Sequence, residues 1–411
     1  MTRRVTAVFV SSLLVLAACG SDSDGASSGA ASSDVASSDS ATSDSATSDS
    51  ATSDSATSDT ATPDTGTVGG VADVVAGEAF PADRCEANKA AGTITYLSGF
   101  DYSASASIVD VLVAQEKGYF EQMCLTVEIK PSLSVTNYPE LAENNAQFAS
   151  AGSFSEMVKY SKANEASFVA MAIEGKTGID ALIVKEGKAT TLEDLRGTTI
   201  GVKTAITTSV AAMLQQAGMT EGTDYITVQI DGFDPKVHIE IPDIVGFPGY
   251  KSNEPLQLEA ASIPFTLFDP AAFDIPGSFG VLYTNGQFLA EHPVAAQDFM
   301  RASMMGLADA VADPKAASDI ALGFINASGN AMFLSPEGEE ARWGVESALV
   351  MSTNAETALG VPEPELLKNE VTTYADIGLF DGDVPVVSDY VDASVLAGIY
   401  DENRVVIWPA G

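Results

Sequence analysis

Apolar and polar positions alternate along the chain in a way that predicts strands and helices in turn. Short apolar runs at Thr93–Leu97, 168–173 and Thr198–Val202 are typical of buried strands. In the segments 106–116 and 295–311, apolar residues recur every three to four positions, which is typical of helices that bury one face. This alternation predicts an α/β fold with mostly parallel sheets that are covered on both faces.

The order of these elements also predicts two lobes. A second set of strands begins after residue 178, and the strand 279–283 then runs back towards the first set. Crossings near 176–182 and 276–284 would join the lobes, and a small molecule would bind in the cleft between them. We therefore expect the following division: lobe 1 from residues 81–178 and 284–411, and lobe 2 from residues 179–283.

The first residues predict export and a lipid anchor. Arg3 and Arg4 precede an apolar run that ends before Cys19, and this run is shorter than the roughly 20 residues of a membrane-spanning helix. Small residues directly before the cysteine are typical of a lipobox. We expect residues 1–18 to be a lipoprotein signal peptide and Cys19 to carry the lipid. An ordinary signal peptide with a chance cysteine is the alternative.

Residues 19–80 predict a disordered tether. Beyond Cys19 they are mostly Ser, Asp, Ala, Thr and Gly, and Ser-Asp-Ser-Ala-Thr repeats in tandem from Ser38. Such a segment has too few large apolar side chains to offset the entropy lost on ordering. We expect it to hold the folded part on the extracytoplasmic face of the cell membrane.

The charge of the chain argues against two classes of partner. The chain has 57 acidic and 20 basic residues and a formal net charge of −37. A surface this acidic repels nucleic acid and anionic lipid. A solvated acidic surface is the ordinary explanation for the rest of the excess.

Few cysteines and histidines are available for chemistry. With Cys19 assigned to lipid, Cys85 and Cys124 remain as a pair in an exported protein, which predicts a disulfide. His238 is predicted to lie in a strand, and His292 is predicted to lie at the surface or to cap a helix. No metal-ligand spacing, phosphate loop or catalytic triad is present in the sequence, so we expect no metal, no cofactor and no catalytic residue.

Four short motifs together resemble one family. They are QEKGYF at 115–120, LEDLRG at 192–197 followed by IGV at 200–202, NEP at 253–255, and EHPV at 291–294. In this order, over about residues 93–352, they resemble the SsuA/THI5-like (NMT1-like) substrate-binding proteins of bacterial ATP-binding-cassette (ABC) importers. The resemblance implies a two-lobed periplasmic-binding-protein-like fold of type II, a monomer, and an ABC permease as partner.

The same fold includes fungal enzymes that make the thiamine pyrimidine with an active-site histidine and a cysteine-rich motif. Export, isolated histidines and the lack of an unassigned cysteine argue against that chemistry here. A lipid-anchored adhesin or sensor is a further alternative, although neither needs two lobes with a cleft.

Four loops that follow strands are expected to face the cleft. They offer aromatic rings, hydroxyl groups at helix starts, and carboxylates, although ordinary turns and caps use the same residues. The predicted ligand-binding residues are Phe100, Asp101, Tyr102, Ser153, Thr204, Thr207, Thr208, Phe247, Tyr250, Asn253 and Glu254.

The charges of the predicted site then distinguish between the candidate ligands. The predicted site offers the carboxylates of Asp101 and Glu254 and only Lys203 as a cation. Carboxylates beside aromatic rings favour a flat heteroaromatic with N–H donors, such as an aminopyrimidine precursor of thiamine. The alternatives are riboflavin and an anion of the sulfonate or nitrate type, which needs cationic donors.

Overall fold

The computed structural model describes residues 68–329 and 333–410, which belong to one compact unit. The strands are β1 Thr93–Leu97, β2 Thr126–Lys130, β3 Phe148–Ala151, β4 Phe168–Gly175, β5 Asp180–Lys185, β6 Thr198–Val202, β7 Tyr225–Gln229, β8 Gly246–Tyr250, β9 Phe265–Phe268 and β10 Phe279–Asn285.

Helices alternate with these strands and dominate the last third of the chain. They are α1 Ala82–Ala90, α2 Val109–Glu116, α3 Tyr119–Gln122, α4 Ser134–Ala142, α5 Phe154–Ala163, α6 Thr208–Gln216, α7 Pro235–Glu240, α8 Glu254–Ala260, α9 Gly286–Glu291, α10 Pro293–Ala312, α11 Pro314–Ser328, α12 Pro336–Thr353, α13 Pro364–Asp376 and α14 Ala393–Ala397. Short 3₁₀ turns lie at Val68–Gly70, Leu192–Leu195, Pro270–Phe273 and Val387–Asp389.

The strands form two five-stranded mixed sheets. The first has the order β2-β1-β3-β10-β4, and the second has the order β7-β6-β8-β5-β9. In the first sheet β1 is parallel to β2 and β3, whereas β10 is antiparallel to both of its neighbours. In the second sheet β6 is parallel to β7 and β8, and β5 is antiparallel to β8 and β9.

The expectation of mostly parallel sheets is therefore wrong for β5 and β10. Each is the first strand after the chain crosses from one sheet to the other. A parallel neighbour is usually reached through a crossover connection within one lobe, commonly a helix. A strand that arrives from the other lobe has no such connection and here runs in the opposite direction.

Each sheet defines one lobe, and two short segments cross between them. The chain passes from β4 to β5 through 176–179 and returns through 269–278. Strand β10 lies in the middle of the first sheet, so the return is complete before Phe279. The boundary expected at residues 283 and 284 falls inside this strand.

Proline marks the start of the long helices. Pro293, Pro314, Pro336 and Pro364 each lie in the first turn of their helix, where no backbone N–H is needed. Helix α10 is buried along most of its length and packs against α2. Gly306 permits this close approach, because a Cβ there would lie 2.1 Å from the carbonyl oxygen of Asp110.

One apolar core continues from lobe 1 into lobe 2. Phe154 of α5, Met213 of α6 and Val371 of α13 are fully buried in the same cluster. Helix α13 packs against both α5 and α6, so it braces the lobes next to the crossing segments. The sequence analysis did not predict this helix.

The segment before β1 is attached to lobe 1 by covalent and ionic contacts. The sulfurs of Cys85 and Cys124 lie 2.09 Å apart, the length of a disulfide bond, and the two Cα atoms are 5.2 Å apart. Next to this pair, the guanidinium of Arg84 is fully buried and lies 2.8 Å from Asp298 of α10. Arg301 lies 3.2 Å from the same carboxylate.

His238 differs from its expectation. It lies in α7 and not in a strand, and its Nε2 is 2.9 Å from the carbonyl oxygen of Asp231. His292 lies between α9 and α10 and makes no side-chain cap hydrogen bond there. The predicted signal peptide, Cys19 and the tether up to residue 67 lie outside the described residues. The expectation of a tether as far as residue 80 is wrong for residues 68–80, which belong to the folded unit: Val74 is buried, and the Gly77 amide donates a hydrogen bond to the carbonyl of Trp408 at 3.0 Å. Within residues 68–329 and 333–410, no helix combines the length and apolar character needed to cross a membrane.

Candidate functional site

A cleft of about 560 Å³ lies between the two lobes. Lobe 1 lines it with the loop after β1, the segment 105–108, the end of β3 and one face of α12. Lobe 2 lines it with the loop after β6, the start of α7, and the segment from Pro248 to Glu254. The volume is within the range of roughly 300–1,000 Å³ that is usual for small-molecule sites.

The structure brings five of the predicted site residues together in this cleft. They come from loops in both lobes and provide two rings, a hydroxyl, an amide and a carboxylate. The five lining residues are Phe100, Thr207, Tyr250, Asn253 and Glu254. The Thr207 hydroxyl has no hydrogen-bond partner among the described residues, so it is available to a ligand.

Two predicted aromatic residues are buried in the protein and do not line the cleft. The Tyr102 hydroxyl donates a hydrogen bond to the carbonyl of Ile129 at 3.0 Å, and the ring packs edge-on against Phe324. Phe247 packs against His238 in the core of lobe 2. Alternate residues of a strand face opposite sides, so β8 presents Tyr250 to the cleft and turns Phe247 away.

The other predicted residues serve the local backbone or solvent. Asp101, with φ of 50°, accepts a hydrogen bond from the Tyr102 amide at 2.8 Å. Ser153 caps α5 by accepting a hydrogen bond from the amide of Glu156. Thr204 is exposed and Thr208 is the first residue of α6. None of these four side chains is among the residues that line the cleft.

Aromatic rings from both lobes line the cleft. The Phe100 ring of lobe 1 has the Arg342 guanidinium carbon 5.6 Å from its centre. The Phe233 ring of lobe 2 has the Lys203 ammonium 4.3 Å from its centre, and both distances are typical of cation–π contacts. Phe279 and Phe333 also line the space. The lining therefore offers several flat faces on which a planar ligand can stack.

The cleft contains more cations than the sequence analysis assigned to it. Lys236 and Arg342 line it together with Lys203, so the expectation of a single cation is wrong. Each cation already faces a carboxylate. Lys203 lies 3.6 Å from Glu254, and Lys236 lies 3.7 Å from Asp234. Arg342 is nearly fully buried and lies 3.1 Å from Glu339.

Helix α12 contributes the residues that sequence reasoning missed. Arg342 donates a hydrogen bond to the Asn253 side-chain oxygen at 3.3 Å. Glu346 accepts hydrogen bonds from the Ser252 hydroxyl and the Ala106 amide, both at 2.6 Å. Glu339, Arg342 and Glu346 are spaced three and four residues apart, on one helix face.

Tyr250 is surrounded by acidic groups from both lobes. Partial loss of hydration, since the residue is 41% exposed, followed by the negative charges of Asp180, Glu156 and Glu254, raises the pKa of its phenol above the usual range. The hydroxyl therefore remains protonated and neutral at physiological pH. An acidic surrounding of this kind favours ligand groups that donate hydrogen bonds and repels anions.

The described part of the chain contains no group of three or more His, Cys, Asp or Glu side chains arranged to hold a metal ion. The chemistry that these residues display in the cleft consists of stacking, hydrogen bonding and paired charges. This combination is typical of a site that binds a small molecule.

A riboflavin-binding protein, RibY, from Chloroflexus aurantiacus is 32% identical over 137 residues, which are 33% of this chain and 38% of that protein. The chain thus matches well under half of the length of this relative.

Solved structures share the fold at low sequence identity. The periplasmic aliphatic sulphonate-binding protein SsuA from Escherichia coli has a TM-score of 0.55 at 9% identity, covering 73% of this chain and 92% of that one. The periplasmic nitrate-binding protein NrtA from Synechocystis PCC 6803 has a TM-score of 0.53 at 12% identity, covering 74% and 87%. At such identities the likeness shows the fold alone, which is the two-lobed α/β fold of periplasmic binding proteins.

A family model described as NMT1/THI5 like matches residues 105–317. These residues are just over half of the chain, and they include most strands of both sheets and much of the cleft lining. The motifs, the two-lobed fold and this match agree: the chain belongs to the NMT1/THI5-like family.

Proposed function

We propose that this protein is an extracytoplasmic solute-binding lipoprotein that delivers a neutral, planar heteroaromatic solute to an ABC importer. Its partners are the solute and the permease of the importer, and it acts as a monomer without catalysis. Among the candidate solutes, the cleft favours a molecule of riboflavin size over a single aminopyrimidine ring.

The pairing of charges in the cleft is the observation that carries the proposal. Lys203, Lys236 and Arg342 each have a carboxylate within 4 Å. An anionic ligand would have to compete with these carboxylates for the cations, most of all at Arg342, whose pair with Glu339 is buried. A neutral ligand leaves all three pairs intact.

Shape and aromatic content support a larger ring system. Phe100 of lobe 1 and Phe233 of lobe 2 both line a space of about 560 Å³. One water takes up roughly 30 Å³ of liquid, so this space corresponds to roughly 20 water molecules. A single substituted pyrimidine would leave most of such a space unfilled, and unfilled apolar lining forfeits contact energy.

The relatives support the same choice to different degrees. RibY is named as a riboflavin-binding protein, and riboflavin is a neutral heteroaromatic whose hydroxylated chain and ring edge donate hydrogen bonds. SsuA and NrtA are named for sulphonate and nitrate, the anions that the paired charges disfavour. A thiamine pyrimidine precursor shares the ring chemistry of riboflavin and is the second candidate.

The proposal of a binding protein is also supported by the positions of the histidines. His238 is buried against the backbone of lobe 2, and neither His238 nor His292 is among the described residues that line the cleft. The histidine-dependent synthesis of the thiamine pyrimidine would need such a residue beside the ligand.

The predicted lipid anchor and tether complete the proposal. Lipid on Cys19 and a flexible tether of about 50 residues before the folded unit would allow a span on the order of 40 Å from the membrane. We further propose that lobe 2 ends before β10, so that lobe 1 resumes at Phe279, because that strand belongs to the first sheet.

A thermal-shift panel tests the ligand class. The mature protein is heated with riboflavin, with an aminopyrimidine, with an alkanesulfonate, or with nitrate. A ligand that binds only the folded state raises the melting temperature, and the rise grows with the logarithm of the ligand concentration relative to its dissociation constant. We expect the largest rise with riboflavin, a smaller one with the aminopyrimidine, and none with either anion. A rise with an anion alone would contradict the proposal.

A further inference from the structure

Ser107 adopts an unusual backbone conformation at the floor of the cleft. Its φ of 58° lies in the left-handed region that non-glycine residues rarely occupy. Such strained conformations persist only where the surrounding structure holds them, and they often occur at ligand sites. Ser107 lines the cleft although only 1% of its surface is exposed.

All three polar groups of Ser107 are fixed by neighbours. Its amide donates a hydrogen bond to Glu174 at 2.9 Å, and its carbonyl accepts one from the Tyr96 hydroxyl. Its own hydroxyl is hydrogen-bonded to the hydroxyl of Ser150, another lining residue, which is 3% exposed. The two serines thus form a hydroxyl pair that the protein presents at one position.

This pair has hydrogen-bonding capacity that its mutual bond does not use. Each hydroxyl can donate one hydrogen bond and accept two, and a single bond joins Ser107 to Ser150. The Ser150 hydroxyl is also hydrogen-bonded to the Tyr96 phenol, whose own proton goes to the Ser107 carbonyl, so the capacity left to the pair is to accept hydrogen bonds. A ligand edge that donates hydrogen bonds, such as an N–H group of a heteroaromatic ring, matches it.

Glu174 holds Ser107 from behind. It is fully buried on β4, and the next strand in the sheet, β10, passes close to it at Gly280. A Cβ at Gly280 would lie 2.6 Å from the Cβ of Ala106 and 3.2 Å from that of Glu174. The segment 106–107 is therefore confined between β10 and Glu174, so its conformation depends on that carboxyl group.

We propose that Ser107 and Ser150 are specificity-determining residues that hydrogen-bond one polar edge of the bound heteroaromatic, and that Glu174 is a positioning residue that holds Ser107 for this contact. The inference rests on the proposed function, because it assumes a ligand with such an edge.

The first test removes the hydroxyls without adding strain. Ser107→Gly removes a hydroxyl and also relieves the left-handed conformation, and Ser150→Ala removes the second hydroxyl. We expect riboflavin affinity to fall roughly tenfold in each variant, the usual effect of losing one hydrogen bond in a closed site. We expect the ligand-free Ser107→Gly protein to melt at the same temperature as the native protein or higher.

The matched control is Ser303→Ala. Ser303 of α10 is buried like the two serines but is not among the residues that line the cleft, and its hydroxyl donates a hydrogen bond to the carbonyl of Phe299 at 3.0 Å. We expect its affinity for riboflavin to stay within about twofold of the native value, because a truncation with no lost ligand contact is nearly neutral.

The second test concerns positioning. Glu174→Gln keeps an oxygen that can accept the Ser107 amide, whereas Glu174→Ala removes it. We expect Glu174→Gln to retain most of the affinity and Glu174→Ala to lose about as much as Ser107→Gly. Equal loss in both Glu174 variants would overturn the positioning role.

The outcomes separate this inference from the proposed function. The probe is the member of the four-ligand panel that binds the native protein most tightly. If riboflavin fails but the aminopyrimidine binds, and Ser107→Gly and Ser150→Ala weaken that binding, the inference holds while the assignment of riboflavin fails. Unchanged binding in both variants overturns the inference alone. No binding of any member to the native protein contradicts both.

Discussion

Asp110 and Glu174 form a buried carboxyl pair whose cost to the folded state should depend on pH. Both are fully buried, Asp110 on α2 and Glu174 on β4. The two carboxyl groups are hydrogen-bonded to each other, and Glu174 also accepts a hydrogen bond from the Ser107 amide at 2.9 Å. Burial raises the pKa of Asp110 to about 7. Burial, with the charge of Asp110, raises the pKa of Glu174 well above its usual range.

The sign of the effect follows from proton binding. Above pH 4 the unfolded chain releases the Asp110 proton, whereas the folded protein keeps it until about pH 7. The folded state binds more protons in this window, so its stability falls as pH rises from 4 to 7. With the ordinary pKa at 3.8, the shift of about three units costs about 4 kcal/mol above pH 7.

Asp110→Asn removes this titration because an amide stays neutral. The free energy of unfolding is measured by urea titration at pH 5, 6, 7 and 8. Over the two pH units from 5 to 7, the titration of Asp110 should lower the free energy of unfolding of the native protein. The variant lacks this titration, so its free energy of unfolding should rise by about 3 kcal/mol relative to that of the native protein. Loss of the Asp110 charge also eases ionisation of Glu174, which adds to the gain.

The matched control is Glu116→Gln, an exposed carboxyl on the same helix. It should follow the native pH dependence within about 0.5 kcal/mol, as surface substitutions usually do. A difference between Asp110→Asn and the native protein that stays constant from pH 5 to pH 8 would refute the reasoning. So would a native protein that is the more stable of the two at pH 8.

Three further predictions concern the anchor, the disulfide and the cleft. Cys19→Ala should move the protein from the membrane fraction to the soluble exported fraction, and a variant that still sediments with membranes would place the anchor elsewhere. Replacing both Cys85 and Cys124 with Ser should lower the free energy of unfolding by about 3–4 kcal/mol, and an unchanged urea midpoint would contradict this. Phe100→Ala should weaken riboflavin binding by roughly three- to tenfold with little loss of stability. Phe247→Ala should cost about 3–5 kcal/mol of stability, and the reverse pattern would show that the assignment of these two rings is wrong.

The positions of several strands along the chain could be predicted, because apolar runs identify buried strands directly. Thr93–Leu97 and Thr198–Val202 lie where the pattern placed them, and the run at 168–173 lies within β4. Direction within a sheet could not be predicted in the same way. Whether β5 and β10 run parallel or antiparallel depends on where the chain enters each sheet, and no local pattern records that.

The site was predictable at loops and not at helix faces. Tyr250 is the last residue of β8, at the end of a strand where the order of elements predicted the cleft. Phe247, three positions earlier, is also aromatic. The alternation of side chains along the strand decides which of the two rings faces the ligand. Arg342 comes from α12, distant in sequence, and its contact with Asn253 is set by tertiary packing.

The most direct test of the central claim is an equilibrium titration of riboflavin, followed by the quenching of flavin fluorescence in the cleft. The account predicts saturable quenching with a dissociation constant of about 1 µM or lower, equivalent to about −8 kcal/mol. Excess nitrate or alkanesulfonate should leave the titration unchanged, because the cations of the cleft are already paired. Absence of quenching, together with a melting temperature raised by either anion, would contradict the account.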